Sequence, residues 1–202
     1  QINDNPSATA EYDHPVVQVK KETVNHTVQK TWEGNQQDSV RVQLIAKATV
    51  DGTEVSLTNE TYKSISQSME IILDSSNSWT YTWNDLPSSN DEGTKYTYQA
   101  VEVGKSENYL DPSYRYDDSK KIHVITNKSY PVVEISKTNV LGDEIQSAVL
   151  TLVDTNKNEV ARWTSGSETN EDGTIKPHYV QVAPGTYTLH EEATPDNNYV
   201  LA

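Results

Sequence analysis

The stretch SVRVQLIAKATV, residues 39–50, alternates apolar and polar side chains with a period of two. Val40, Val42 and Leu44 fall on one face and Arg41 and Gln43 on the other, the pattern of a half-buried strand. Similar runs surround it: HTVQKTW, MEIIL, SWTYTW, KYTYQAVEV and KIHVITN, separated by the turn clusters EGNQQD, VDGTE, DSSNS and SSNDEG. Order is expected to begin near VVQVK, after a polar stretch at 1–15 that reads as a linker or the tail of a preceding module. Many short strands with turns between them predict an all-β sandwich or barrel. No segment shows a helical period.

Composition agrees. The chain has 202 residues, 12 tyrosines, one methionine, no phenylalanine and no cysteine. Missing cysteine excludes disulfides, a thiol nucleophile and thiolate metal sites. A net charge of -14 repels phosphate backbones and anionic lipid, so neither nucleic acid nor membrane insertion is expected. No apolar run reaches the length of a membrane span.

A second series of strand-like runs follows Asn127: YPVVEISKT, SAVLTLVD, EVARWTS, HYVQV and GTYTLHEE. The hinge NKSY separates the two, giving one domain at 16–128 and another at 129–202. They read as unequal copies of one plan, with TYQAVE at 97–102 answered by TYTLHE at 186–191.

Each series opens with a lysine in an apolar register. Lys30 shares a face with Val28 and Trp32, and Lys137 with Ile135 and Val133. Glu191 shares a face with Leu189 and Tyr187. Glu102 shares one with Ala100 and Tyr98, although Val101 and Val103 make its opposite face apolar as well. Asn127 shares a face with Ile125 and His123, a modest signal. Burial lowers a lysine pKa and raises a carboxyl one, so a buried pair can become a neutral amine and a neutral acid. Attack of Lys30 on the side-chain carbonyl carbon of Asn127, with loss of ammonia, would form an isopeptide bond. Glu102 would polarise the amide and shuttle the protons.

Plainer readings stand beside these. Either lysine fits an edge strand from which it snorkels to water, and Glu191 fits a solvated strand end. Asn127 fits a turn, and it begins one of three glycosylation sequons, with Asn25 and Asn59. DTNKNE at 154–159 resembles half a calcium loop but lacks the sixth-position glycine and a closing glutamate, so it reads as a hairpin turn and no metal is expected. The histidines show no metal spacing, no phosphate loop or nucleophile elbow is present, and the four tryptophans could line a sugar site but more often serve as core or strand-pairing residues.

Five motifs in order, VQKTW, SVRVQLIA, SWTYTWNDLP, GTKYTYQAVEV and ITNK, resemble the B-type repeat domain of the staphylococcal collagen adhesin, the CnaB domain of Gram-positive surface proteins and pilins. VEISKTNVLGDEIQSAVLTLVD, ARWTS and APGTYTLHEEATPDNNYVLA resemble the shorter pilin-type version. The resemblance implies two tandem reverse immunoglobulin-like sandwiches. It also implies a self-formed isopeptide bond between first and last strands, assisted by an acid. By position the bond would join Lys30 and Asn127 with Glu102 assisting, and Lys137 and Glu191 would be the corresponding pair in the second domain. The second acceptor is missing from the chain: only 11 residues follow Glu191, against the 25 that separate Glu102 from Asn127. Truncation is the expected cause, ahead of a lost strand or one donated by another chain.

The resemblance further implies a stalk segment of a cell-wall adhesin or pilus subunit, outside a Gram-positive cell. Its partners would be neighbouring domains and pilus subunits, and it would need no cofactor. Single-turnover self-crosslinking is not enzymatic turnover. The alternative is a module that binds a host matrix protein or glycan through surface loops, SSNDEG or the tyrosine-rich NYLDPSYRYDD at 108–118.

Overall fold

The computed structural model describes residues 22–56 and 67–193. The linker expected at 1–15, the run VVQVK, the sequon at Asn59 and the residues after 193 lie outside them. The described residues form two immunoglobulin-like β-sandwiches in tandem, and their only helical turn is a short 3-10 turn at Ser75–Asn77.

The first sandwich contains β1 (Thr23–Glu33), β2 (Ser39–Val50), β3 (Thr53–Ser56), β4 (Glu70–Asp74), β5 (Thr80–Pro87), β6 (Tyr96–Glu102), β7 (Ser113–Asp117) and β8 (Ile122–Lys128). One sheet runs β5-β1-β8-β7. In the other, β2 pairs with β6 along one edge and with β3 and β4 along the opposite edge. The alternation in β2 is realised residue by residue: Val40, Val42, Leu44, Ala46 and Ala48 are buried. Val40, Val42 and Leu44 pack with Val28, Leu73, Trp83, Leu86 and Ile125 in one core, where a fully buried valine, leucine or isoleucine contributes about 1.5–3 kcal/mol. Trp83 is fully buried because its indole N–H donates to the Ser68 carbonyl at 2.8 Å.

The turn joining β2 to β3 is Asp51-Gly52, with φ of 50° and 77°. Two successive positive φ values suit a tight hairpin of right-handed twist, and glycine reaches them without strain.

The second sandwich is smaller. It comprises β9 (Val132–Ile135), β10 (Val149–Val153), β11 (Glu159–Thr164), β12 (His178–Gln181) and β13 (Thr188–Ala193), in sheets β11-β10-β13 and β12-β9. Leu150, Leu152, Trp163 and Val182 form its core.

Three expectations need correction. EISKT is not a strand throughout: β9 stops at Ile135, and Val133 is exposed. The tyrosine-rich segment is not simply a loop, because Ser113–Asp117 is strand β7 at the edge of its sheet. NKSY is no free hinge either. Asn127 and Lys128 complete β8, Ser129 N–H donates to Glu33 O, and Tyr130 N–H donates to Asn108 O. Gly34, at φ +88°, lets the chain pass so close to Ser129 that a Cβ would lie 2.1 Å from its hydroxyl.

Candidate functional site

β1 and β8 are adjacent and parallel, with Lys30 opposite Ile125 and Trp32 opposite Asn127. Both are interior strands, flanked by β5 and β7. Lys30 is therefore no edge lysine: it is 2% exposed, and Asn127 is fully buried. Burial also excludes glycan attachment at Asn127 in the folded domain. Glu102 ends β6 in the opposite sheet and points back between the sheets, its side chain 3% exposed. The sandwich thus brings together three residues that its two sheets carry separately.

The carboxylate lies between the other two groups. Glu102 Oε2 is 3.7 Å from Lys30 Nζ, while Glu102 Oε1 accepts from Asn127 Nδ2 at 2.8 Å and from Ser106 Oγ at 3.0 Å. The lysine also donates to the Thr31 carbonyl at 3.1 Å and stands 4.2 Å above the Trp32 ring. Trp32 is held edge-on by Trp79 and Tyr109, each 5.4 Å away. Asn127 Oδ1 is buried with no hydrogen-bond partner.

Burial pushes the Lys30 amine down to about 8, against the opposing pull of the Glu102 carboxylate. The unfolded chain has an ordinary lysine, so between about pH 8 and 10.5 it binds more protons than the folded one. Below that window both states are protonated and the cost of the buried charge is present in full. Stability conferred by this group therefore rises with pH across the window. In Asn127→Ala, which leaves the amine free, urea stability should increase by roughly 2–3 kcal/mol from pH 8 to 10.5 relative to Lys30→Met/Asn127→Ala. Identical profiles for the two variants would show that the amine is not buried as a base.

In the second sandwich Lys137 Nζ donates to Glu191 Oε2 at 3.1 Å. Glu191 faces Leu150 across the β10–β13 ladder, with its side chain 3% exposed, whereas Lys137 keeps 24% of its side chain in solvent. Beyond the end of β9, Lys137 is fixed by its backbone: its N–H donates to Glu144 Oε2 and its carbonyl accepts from Ile145. DTNKNE forms the β10–β11 turn, with the Asp154 carboxylate accepting from the Asn156 and Asn158 backbone and the Asn158 amide.

Residues 26–128 match the family model of the Cna protein B-type domain, about half of the chain. The chain belongs to that family. Residues 131–202, following the B-type domain, match the model of a prealbumin-like fold domain. No curated protein matches. Among solved structures the chain is similar to the pilus adhesin SpaC of Lactobacillus rhamnosus GG, at 17% identity and a TM-score of 0.56, over 91% of this chain and 22% of that one. It therefore spans about a fifth of the adhesin's length. Two B repeat units of the collagen binding protein of Staphylococcus aureus match at 23% identity over 84% of this chain and 44% of that one, with a TM-score of 0.38. The pilus backbone RrgB of Streptococcus pneumoniae matches at 12% identity over 90% and 56%, with a TM-score of 0.31. Such identities speak to the fold alone, and of these three superpositions that on SpaC is good enough to carry an argument.

Within the B-type domain, sequence reasoning missed the residues that complete the site. Ser106 and Tyr109 have no register signal, because they lie outside the strands, and Trp79, read as core within the run SWTYTW, precedes β5. Only the folding of these segments onto β1 and β8 reveals them.

Proposed function

We propose that this chain is a structural stalk segment of a Gram-positive cell-wall-anchored adhesin or pilus subunit, locked by an isopeptide bond between Lys30 and Asn127 that Glu102 promotes. The observation that carries this reading is the buried carboxylate whose two oxygens face the amine and the amide separately. A proton passes from Lys30 to Glu102. The neutral amine attacks Cγ of Asn127 and the bond from Cγ to Nδ2 breaks. The amine gives up two protons in all, one before attack and one after. Nδ2 takes one to leave as ammonia, and the other leaves Glu102 with it as ammonium. Held side by side, the groups have the proximity that a sluggish amide exchange needs. This is one turnover per chain, without cofactor. Intact mass of the denatured protein is the direct test.

On this reading the domains extend over 16–128 and 129–202, with 1–15 a linker or the tail of a preceding domain, and the segment is extracellular. Its partners are neighbouring domains of the same surface protein or other pilus subunits. Lys137 and Glu191 are the corresponding pair of the second domain.

A second reading, a host-ligand binding module, is favoured by one observation. Half-exposed Tyr114 and Tyr116 with Arg115 on β7, together with Tyr98 and Gln99 of β6, line a cleft of about 380 Å³ between the two sheets. If a glycan or matrix protein binds here, Arg115→Ala/Tyr116→Ala should weaken binding at least ~10-fold in a glycan array or a collagen plate assay, since aromatic and arginine anchors carry such surfaces. Equal binding by wild type and variant would sink this reading.

A further inference from the structure

We propose that Ser106 is a fourth working member of the site, holding the departing nitrogen against Glu102 and satisfying Glu102 in both of its protonation states. This rests on the crosslink proposed above. Ser106 follows Glu102 by four residues, in the loop after β6. Its Oγ lies 3.0 Å from Glu102 Oε1, 3.3 Å from Asn127 Nδ2 and 2.9 Å from Gln37 Oε1.

A hydroxyl has one proton to donate and two lone pairs to accept with. Here the amide N–H of Asn127 occupies one lone pair, and two oxygens compete for the single proton. While Glu102 is ionised, Ser106 donates to Oε1. Once Glu102 holds the proton taken from Lys30, the hydroxyl turns to Gln37 Oε1, and its second lone pair is open to Glu102. A fixed donor in this place, such as a backbone N–H, would stabilise the ionised carboxylate alone and resist its protonation. Crosslinking needs Glu102 in both states in turn, so a pivoting donor lowers the cost of the cycle.

The same hydroxyl stands at the way out. A cleft of about 400 Å³, lined by Gln37, Ser39, Arg41, Glu102, Gly104 and Ser106, opens beside the otherwise buried site. The bond that breaks releases its nitrogen at Nδ2, which Ser106 and Glu102 hold between them. Ammonia leaving by this cleft passes Ser106, while Lys30 stays sealed on the far side of the carboxylate.

The test is a time course of ammonia loss. Full-length chain is made by cell-free synthesis, and aliquots are denatured and weighed. Ser106→Ala should lose ammonia about 10-fold more slowly than wild type, the effect of one hydrogen bond to a charged group, and Ser106→Thr should stay within about three-fold. Thermal midpoints of Glu102→Ala with and without Ser106→Ala, neither able to crosslink, should differ by no more than the few degrees that the lost Ser106 hydrogen bonds cost, which separates a role in the reaction from a role in folding. Equal rates for Ser106→Ala and wild type overturn the inference while leaving the crosslink standing. So does failure of Ser106→Thr to recover the rate, or a fall in midpoint that accounts for the slowing. A wild-type chain that never loses ammonia overturns the crosslink itself, and the role of Ser106 with it.

Discussion

Denatured wild-type protein should weigh less than its sequence requires by one ammonia, and Lys30→Ala, Asn127→Ala and Glu102→Ala should each restore the full mass. The three substitutions remove the proposed nucleophile, acceptor and proton carrier, whose side chains lie together between the sheets. Alanine at 102 also leaves a cavity, so Glu102→Gln is the sharper variant. It keeps the shape and one hydrogen-bonding oxygen but has no proton to move, and for lack of acid–base assistance its bond should form at least ~100-fold more slowly. Protease digestion of the wild type should yield one branched peptide joining the segments around Lys30 and Asn127. Lys137→Ala should leave the deficit unchanged, because the proposed bond lies wholly within the first domain. An unshifted wild-type mass removes the crosslink, and a deficit of two ammonias removes the claim that only the first domain reacts.

Breaking the bond should convert the first domain from inextensible to extensible. A pull on the chain enters through β1 and leaves through β8, and these strands are parallel neighbours. With Lys30 joined to Asn127, load crosses from one strand to the other and residues 31–126 bear none of it. In single-molecule stretching, the wild type should show no unfolding step for this domain. Asn127→Ala should show one that lengthens the chain by about 330 Å, at the reach of an extended residue. Heat should report the same change. A tie closing a loop of this size removes about 5 kcal/mol of unfolded-chain entropy, so the variant's thermal midpoint should fall by on the order of 20 °C. A wild-type domain that extends under load like the variant would contradict the proposed stalk function directly.

The legibility of the fold varied with how strongly each strand is amphipathic. β2 carries five buried residues in strict alternation and was readable from its letters alone. β3 and β7 were hidden for the opposite reason. All four residues of β3 are exposed, as are four of the five in β7, so no apolar face marks either as a strand; backbone pairing with β2 and β8 creates them. β9 is shorter than its letters suggest because Lys137 is anchored by Glu144 and Ile145 and not by β12.

The site divides in the same way. Period-two register puts Lys30 inward whatever its partners are, since an inward face is a property of one strand and its neighbours in sequence. Register could not decide Glu102, because Val101 and Val103 make both faces of β6 apolar. Nor could it decide Asn127, or whether Lys30 lay on an edge. Those answers depend on which strands are neighbours. β1 is flanked by β5 and β8, and β6 closes over it from the other sheet, pairings between residues as far apart as 30 and 127. The distances from the Glu102 carboxyl group to Lys30 Nζ and to Asn127 Nδ2, and the hydroxyl of Ser106 beside it, exist only once the two sheets pack face to face. By itself the sequence determined an all-β tandem and an inward lysine, because alternation is local. The tertiary structure alone decided what that lysine meets, because proximity across a sandwich is not.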